Sequence, residues 1–171
     1  MKTDVIIRQA TSPADMSEVR TLCWAYRDFL EGFSAELKEA VAFAYAKEGY
    51  AALLEELPVK HARPHGVILV AEVAGEIVGC GMFHALTPQD VEIKRVFVDS
   101  KTRGGGIGAQ LLQALIDHAR NDGYSRILLD TSRQFIGAQK LYEKLGFRRR
   151  GPYSALPPAF EKLLIFYEIT L

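Results

Sequence analysis

The alternation of apolar and polar positions predicts several β-strands distributed along the whole chain. Residues 67–86 have the pattern of a β-hairpin, with its turn at Ala74-Gly75. Shorter runs of β-branched and aromatic residues predict strands over 5–10, 91–99, 125–132 and 163–171. Strands therefore dominate the middle and the end of the chain.

The predicted strand at 91–99 has two different faces. Successive side chains of a strand point to opposite sides. The alternation puts Val91, Ile93, Arg95 and Phe97 on one face and Glu92, Lys94, Val96 and Val98 on the other. We therefore expect Glu92 to share a face with Val96 and Val98.

Helical periodicity fills the segments between these strands. Ser12 and Pro13 form a helix-start signal, and helical character continues to about Leu57 with a break near residues 31–34. Residues 58–66 are predicted to form a loop. Two further helices are predicted after the strand at 91–99, the first ending before Gly123 and the second ending at Gly146. The order of elements predicts one α/β domain over residues 1–171.

Composition and charge narrow the class of protein. The 171 residues suit one domain, and 21 basic residues balance 21 acidic ones, so neither a nucleic-acid nor a membrane partner is indicated. No signal-peptide core or membrane-length apolar run occurs. Cys23 and Cys80 are interpreted as reduced packing residues, which predicts a cytoplasmic protein. The four histidines lack ligand spacing, so no metal site is predicted.

The stretch RGGGIGA at 103–109 is the strongest chemical signal in the chain. It lies between a predicted strand and a predicted helix, where unpaired amides and the helix dipole favour an anion. Arg103 adds charge and hydrogen-bond donors. One glycine would suffice for a tight turn, whereas glycine at 104, 105, 106 and 108 indicates close approach of a diphosphate to the main chain.

Two other phosphate-binding motifs also contain glycine-rich turns. A P-loop is excluded because no Gly-Lys-Ser/Thr follows. A dinucleotide fingerprint fits the glycines, with Asp130 as the ribose-binding acid, and this alternative stays open. Its position after about ninety residues and the charged residues Glu92, Lys94 and Arg95 in the preceding strand count against it.

Two motifs together resemble the GNAT family of acyl-CoA-dependent N-acyltransferases. Residues 103–108 fit the pattern Q/R-x-x-G-x-G/A, and AQKLYEKLGF at 138–147 has the form L-Y-x-x-L-G-F. The order of elements resembles this family over nearly the whole chain. The resemblance implies an α/β fold with a mixed, mostly antiparallel sheet of about seven strands flanked by about four helices.

The resemblance also implies a binding mode for acetyl-CoA as cosubstrate. Main-chain amides from Gly104 to Ala109 would hold the pyrophosphate, and the pantetheine arm would pair with main chain at Val96 and Val98, where the fourth and fifth strands splay apart. Some members carry an asparagine seven residues before the helix tyrosine, but Phe135 stands there, so no cofactor contact is assigned to it. The predicted cofactor-binding residues are Val96, Phe97, Val98, Arg103, Gly104, Gly105, Gly106, Ile107, Gly108 and Ala109.

Two residues are predicted to be catalytic. Glu92 lies eleven residues before Arg103, the offset at which histone-acetyltransferase members place a strand glutamate that acts as base. Its alternative role is a solvated carboxylate that pairs with Lys94 or Arg126. Tyr142 matches the family tyrosine that protonates the departing thiolate, although it also belongs to a helix stripe that packs.

The predicted reaction is direct transfer of an acetyl group from acetyl-CoA to a primary amine in a ternary complex. The acceptor, a small molecule or a peptide or protein amine, is not identified by the sequence. Trp24, Tyr26 and Phe29 suit either an apolar pocket or the core, and Tyr153 or Phe160 would close the site. The competing function is a non-catalytic acyl-CoA-binding regulatory module. A homodimer is compatible with this class of fold.

Overall fold

The computed structural model describes residues 4–171, and its seven strands form one sheet in the order β1-β2-β3-β4-β5-β7-β6. Within this range the neighbouring strands are antiparallel except for the parallel pair β4 and β5. The strands are β1 (Val5–Gln9), β2 (Gly66–Val73), β3 (Glu76–Ala85), β4 (Asp90–Val98), β5 (Arg126–Ser132), β6 (Arg148–Arg150) and β7 (Leu164–Thr170). The expected mixed, mostly antiparallel sheet is confirmed.

Helices cover both faces of the sheet. Leu111 and Leu115 of the fourth helix pack into one hydrophobic cluster, and Leu22 of the first helix and Leu54 of the third pack into the other. The helices are α1 (Pro13–Phe33), α2 (Ala35–Ala44), α3 (Lys47–Lys60), α4 (Ile107–Asn121), α5 (Ile136–Lys144) and α6 (Pro158–Glu161). Six helices in residues 4–171 exceed the four expected, because 13–60 divides into three helices and the short α6 was not foreseen.

Local signals in the sequence explain most element boundaries. Ser12 caps α1 by accepting from the Asp15 amide at 3.0 Å, with the Asp15 side chain completing a capping box. Ala74 and Gly75 both have positive φ at the predicted hairpin turn. The loop predicted at 58–66 begins too early, since α3 continues through Pro58 to Lys60.

The parallel pair β4 and β5 separates soon after it begins. Its register covers only Asp90 with Arg126, Val91 with Ile127, and Glu92 with Leu128. Each strand then continues along its other neighbour, β4 as far as Val98 and β5 as far as Ser132. The gap between the diverging strands is the splay that the family resemblance implies.

A β-bulge changes the facing of residues in β4. Lys94 pairs with Met82 and Phe97 with Cys80, so that Gly81 stands opposite two residues, and the first of these, Arg95, has a φ of 53°. The extra residue reverses the alternation beyond it. Glu92 therefore does not share a face with Val96 and Val98, contrary to the expectation from simple alternation. Val96 and Val98 pack toward α4, together with Val91 and Ile93.

Candidate active site

The glycine segment forms the turn that leads from β4 into α4. Gly104 and Gly106 have φ values of 92° and 73°, which only glycine adopts without strain. The first main-chain hydrogen bond of the helix runs from the Gln110 amide to the Gly106 carbonyl at 3.1 Å. The amides just before Gln110 therefore have no partner within the helix, and the helix dipole adds positive potential at the same point. The turn has the features of an anion site.

The turn opens into a cavity of about 920 Å³, which extends between the separated strands β4 and β5. Of the predicted cofactor-binding residues, all except Gly105 line this cavity. A volume of this size is typical of a small-molecule site. The structure thus brings the glycine turn and the splayed strands into one continuous space.

Gly108 is not required by the local backbone. It lies in the first turn of α4 without a positive φ, and a Cβ added there would meet no atom within 4 Å. Its position on the cavity wall means that the space in front of its main chain is open. The glycine at this position therefore fits close approach of a ligand better than it fits a structural need.

The side chain of Arg103 lies across this space. Its Nε donates a hydrogen bond to the Val98 carbonyl at 3.0 Å, and its guanidinium carbon lies 4.5 Å from the centroid of Phe29 and 5.1 Å from that of Phe97. These distances are those of cation–π contacts. Arg103 thus occupies a main-chain acceptor that the resemblance assigns to the pantetheine arm.

Aromatic residues from two helices form one wall of the cavity. Phe33 of α1 contacts Phe135 at the start of α5, with ring centroids 4.8 Å apart and an edge-to-face geometry. The ring centroid of Phe29 lies 5.5 Å from that of Phe135. Phe135 therefore contributes apolar surface at the position where some family members carry an asparagine. Phe160 lies outside the cavity lining and stacks on Phe43 at 4.6 Å.

Glu92 belongs to a buried charged cluster where the strands part. It is 7% exposed, and its Oε2 accepts a hydrogen bond from the Tyr153 hydroxyl at 2.6 Å. The Lys94 ammonium lies 3.5 Å from Glu92 and 3.7 Å from Asp130. Although burial lowers the pKa of Lys94, the charges of Asp130 and Glu92 raise it more, so that the net shift is upward. Arg126, the other suggested partner of Glu92, instead pairs with Asp90 at 2.9 Å.

Glu92 does not itself line the cavity, whereas its neighbours Lys94 and Asp130 do. The sequence suggested Tyr153 only as a residue that closes the site, and gave Asp130 only the ribose role of the dinucleotide alternative. Their roles in this cluster were missed. Tyr153 lies 61 residues from Glu92 in a loop without regular structure, so no local pattern could have predicted the contact. Asp130 could have been found from its position on β5 directly beyond the paired segment.

Tyr142, predicted to be catalytic, lies on the cavity wall. Burial, together with the charge of Asp130 and the neighbouring Tyr167, raises the pKa of Tyr142 to about 12. The phenol is therefore protonated at neutral pH and can donate a hydrogen bond. Its ring also packs against Phe147 and Tyr167, with centroids 5.9 Å and 5.7 Å away, so the packing role holds as well.

Two negative findings apply to residues 4–171. No helix in this range is long and apolar enough to cross a membrane. The same part of the chain contains no group of three histidine, cysteine or acidic side chains placed to hold a metal ion. Cys23 and Cys80 are free and buried, as expected of packing residues.

Known structures share this fold. An acetyltransferase from Streptococcus agalactiae superimposes with a TM-score of 0.74 over 98% of both chains, at 17% identity. A GNAT family acetyltransferase from Elizabethkingia anophelis, crystallised with acetyl-CoA bound, superimposes with a TM-score of 0.61 over 98% of both chains, at 21% identity.

Sequence comparison finds relatives of higher identity. An IAA acetyltransferase of Azospirillum brasilense is 40% identical over 108 residues, which are 63% of this chain and 69% of that protein. The chain spans smaller shares of other curated relatives, 59% of an N-acetyltransferase of Schizosaccharomyces pombe and 29% of N-acetylaspartate synthetase of Danio rerio. The sequence model of the acetyltransferase (GNAT) family matches residues 21–147. The chain therefore belongs to the GNAT family of acetyltransferases.

Proposed function

We propose that this acetyltransferase transfers an acetyl group from acetyl-CoA to a primary amine by direct attack in a ternary complex. The observation that carries the proposal is the single cavity that joins the glycine turn to the gap between β4 and β5. The thioester of the bound cosubstrate supplies the acetyl group. Side chains and main-chain amides of this chain bind the cosubstrate, accept the proton of the amine and stabilise the departing thiolate.

The residues that line the cavity fit the parts of acetyl-CoA. The amides from Gly104 to Ala109 bind the diphosphate, and the open space before Gly108 admits it. The main chain at Val96 and Val98 pairs with the pantetheine arm as an added strand would. Arg103 must then leave the Val98 carbonyl, and its guanidinium becomes free to pair with phosphate.

A main-chain amide near Val98 polarises the thioester carbonyl as an oxyanion donor. The attacking amine must be neutral. For an amine with a pKa near 10.4, the neutral form at pH 7 costs about 4.6 kcal/mol. Glu92 accepts the proton, either through water or through the Tyr153 hydroxyl that it already binds at 2.6 Å. The amine nitrogen then bonds to the carbonyl carbon, and the carbon–sulfur bond breaks.

Tyr142 stabilises the departing sulfur. Complete proton transfer from a phenol of pKa about 12 to a thiolate with a pKa near 8.5 would be uphill by about 4.8 kcal/mol. Tyr142 therefore acts chiefly as a hydrogen-bond donor that holds and stabilises the thiolate, and solvent completes the protonation.

Calorimetry with acetyl-CoA and assays of thiol release with a panel of amines test this proposal. Glu92→Gln should keep the affinity for acetyl-CoA and lower kcat by about 10²–10⁴-fold. Asp130→Asn is the comparison variant, because Asp130 is the other carboxylate beside Lys94. A larger loss in Asp130→Asn would transfer the base role to Asp130. Binding of acetyl-CoA with no turnover for any amine would favour the non-catalytic module, and failure to bind would refute the proposal.

A further inference from the structure

Arg95 occupies an exceptional position in the site. It forms the bulge of β4 with a φ of 53°, which is unusual for a side chain of this size, and it lines the cavity while only 8% exposed. Bulges near active sites commonly redirect a side chain. Arg95 thus brings a buried guanidinium to the part of β4 that has separated from β5.

Arg95 has no partner among residues 4–171. Its Nε and Nη1 are buried without a hydrogen bond, and no carboxylate in this range lies within 4.0 Å of the guanidinium. Lys94, the adjacent cation, is compensated by Glu92 and Asp130. An arginine stays charged at any accessible pH, and a buried charge without a counter-ion is strongly disfavoured. Unpartnered buried groups of this kind need an explanation, and binding of an anion is one.

The polar groups around Arg95 do not supply the missing charge. Burial, followed by smaller effects of nearby positive charges that include Lys60 and Arg95, lowers the pKa of His61 and of His84 to about 4 in each case. Both imidazoles are therefore neutral at pH 7. Cys80 contributes only a thiol hydrogen bond to the Arg95 carbonyl, at 3.6 Å. Within residues 4–171, the buried Nε and Nη1 of Arg95 thus have neither a hydrogen-bond partner nor a carboxylate counter-ion within 4.0 Å.

Given the proposed function, we infer that the acceptor is an amine bearing a carboxylate, such as a free amino acid, and that Arg95 binds this carboxylate. The planar fork of a guanidinium can bind a carboxylate through two parallel hydrogen bonds. The diphosphate of the cosubstrate does not account for Arg95, because its proposed site is the glycine turn after the end of β4, whereas Arg95 lies at the bulge within that strand. Asp130 of β5 lines the same cavity, and its carboxylate favours the ammonium group of the same acceptor.

The inference predicts selection between an amino acid and its carboxamide, which differ in charge but hardly in size. The amine of a carboxamide is less basic, so basicity alone would favour the carboxamide. The wild-type protein should instead show a kcat/KM about 10–100-fold higher for the amino acid. Arg95→Met should lose this preference and leave the value for the carboxamide within about threefold. Arg120→Met, at an exposed arginine far from the cavity lining, is the matched control.

Thermal unfolding gives a second readout. If the buried charge of Arg95 waits for a ligand, Arg95→Met should keep or raise the melting temperature without ligand. Amino acids, but not carboxamides, should raise the melting temperature of the wild type in the presence of CoA. This comparison and the wild-type rates decide the question even if Arg95→Met does not fold.

Three outcomes would overturn the inference. The first is equal turnover of acid and carboxamide by the wild type, which would indicate that water compensates Arg95. The second is a preference that survives in Arg95→Met. The third is a lower melting temperature in Arg95→Met with unchanged selectivity, the result expected of a structural arginine. Absence of thiol release with every amine would instead refute the proposed function, and the inference with it.

Discussion

The Tyr153 hydroxyl donates a 2.6 Å hydrogen bond to Oε2 of Glu92. This bond connects the loop after β6 to β4 at the residue where the pairing of β4 with β5 ends. The same hydroxyl lies 3.5 Å from Asp130 on β5. Burial and both carboxylates raise the pKa of Tyr153, so the phenol remains a donor. Tyr153 therefore orients the proposed base and bridges the two separated strands.

Replacement of Tyr153 by phenylalanine tests this bridge. The change removes the short hydroxyl hydrogen bond to Oε2 of the buried Glu92 and leaves Lys94 at 3.5 Å, and loss of a hydrogen bond to a charged group should cost about 1–3 kcal/mol of unfolding free energy. We expect kcat to fall about tenfold or more, with unchanged affinity for acetyl-CoA. Tyr124→Phe is the control, because Tyr124, like Tyr153, is partly buried and lies outside the cavity lining, whereas the hydrogen bond to Glu92 belongs to Tyr153. Equal kinetics in the two variants would exclude a role for Tyr153 in proton transfer.

Substitution of Gly108 should affect folding stability and ligand binding in opposite directions. Gly108→Ala introduces a good helix former where no atom lies within 4 Å, so we expect about 0.5–1 kcal/mol higher unfolding free energy. The same methyl group projects where the diphosphate approaches, so calorimetry should show at least about tenfold weaker binding of acetyl-CoA. The variant should therefore be more stable and bind less well.

Gly49→Ala provides the matched control for this test. Gly49 lies near the start of α3, also with no atom within 4 Å of an added Cβ, but outside the cavity lining. We expect a similar gain in stability and unchanged binding of acetyl-CoA. If Gly108→Ala binds acetyl-CoA as the wild type does, the main chain at this position does not contact the diphosphate.

Tyr142→Phe isolates the hydroxyl from the ring. The ring contacts with Phe147 and Tyr167 persist in the variant, so stability should change by less than about 1 kcal/mol. Loss of a donor to a developing thiolate should lower kcat by about 10–100-fold while the KM for acetyl-CoA stays constant. Steady-state kinetics at saturating amine measure this difference. A kcat equal to that of the wild type would assign Tyr142 to packing alone.

The parts of the site that depend on neighbours in sequence could be predicted. The turn from Gly104 to Gly108 and the position of Tyr142 on the cavity wall follow from residue types that act locally, through positive φ, free amides and helical spacing. The splay of β4 from β5 was expected only because the sequence resembles a family. Periodicity alone carries no information about how far two parallel strands remain paired.

The rest depends on single irregularities and distant contacts. A bulge adds one residue to β4 without any change in composition, and the alternation therefore placed Glu92 on the wrong face relative to Val96. Arg95 looked like an ordinary member of an apolar face, since a positive φ cannot be read from an arginine in a strand. The contact of Tyr153 with Glu92 depends on a loop whose path is set by the whole sheet.

His61 allows a test of the interior on the α3 side of the sheet. It is 2% exposed, and its Nδ1 donates to the Phe83 carbonyl at 2.8 Å. Burial, and then the positive charges nearby, lower the pKa of His61 to about 4 despite this hydrogen bond. The unfolded chain, with a pKa near 6.5, binds the proton first as the pH falls. The contribution of neutral His61 to folding stability is therefore fully present above about pH 6.5 and is lost progressively as the pH falls toward 4.

We expect His61→Gln to flatten this pH dependence. The glutamine amide can still donate toward the Phe83 carbonyl, but it does not titrate, so denaturant unfolding between pH 7 and 4.5 should show about 2 kcal/mol less loss of unfolding free energy than in the wild type. His65→Gln, at an exposed histidine, should follow the wild-type curve. Because the test concerns the slope, a constant destabilisation by imperfect packing of the glutamine does not affect it. Parallel curves for wild type and His61→Gln would mean that His61 is protonated inside the folded protein, with solvent or an anion reaching it.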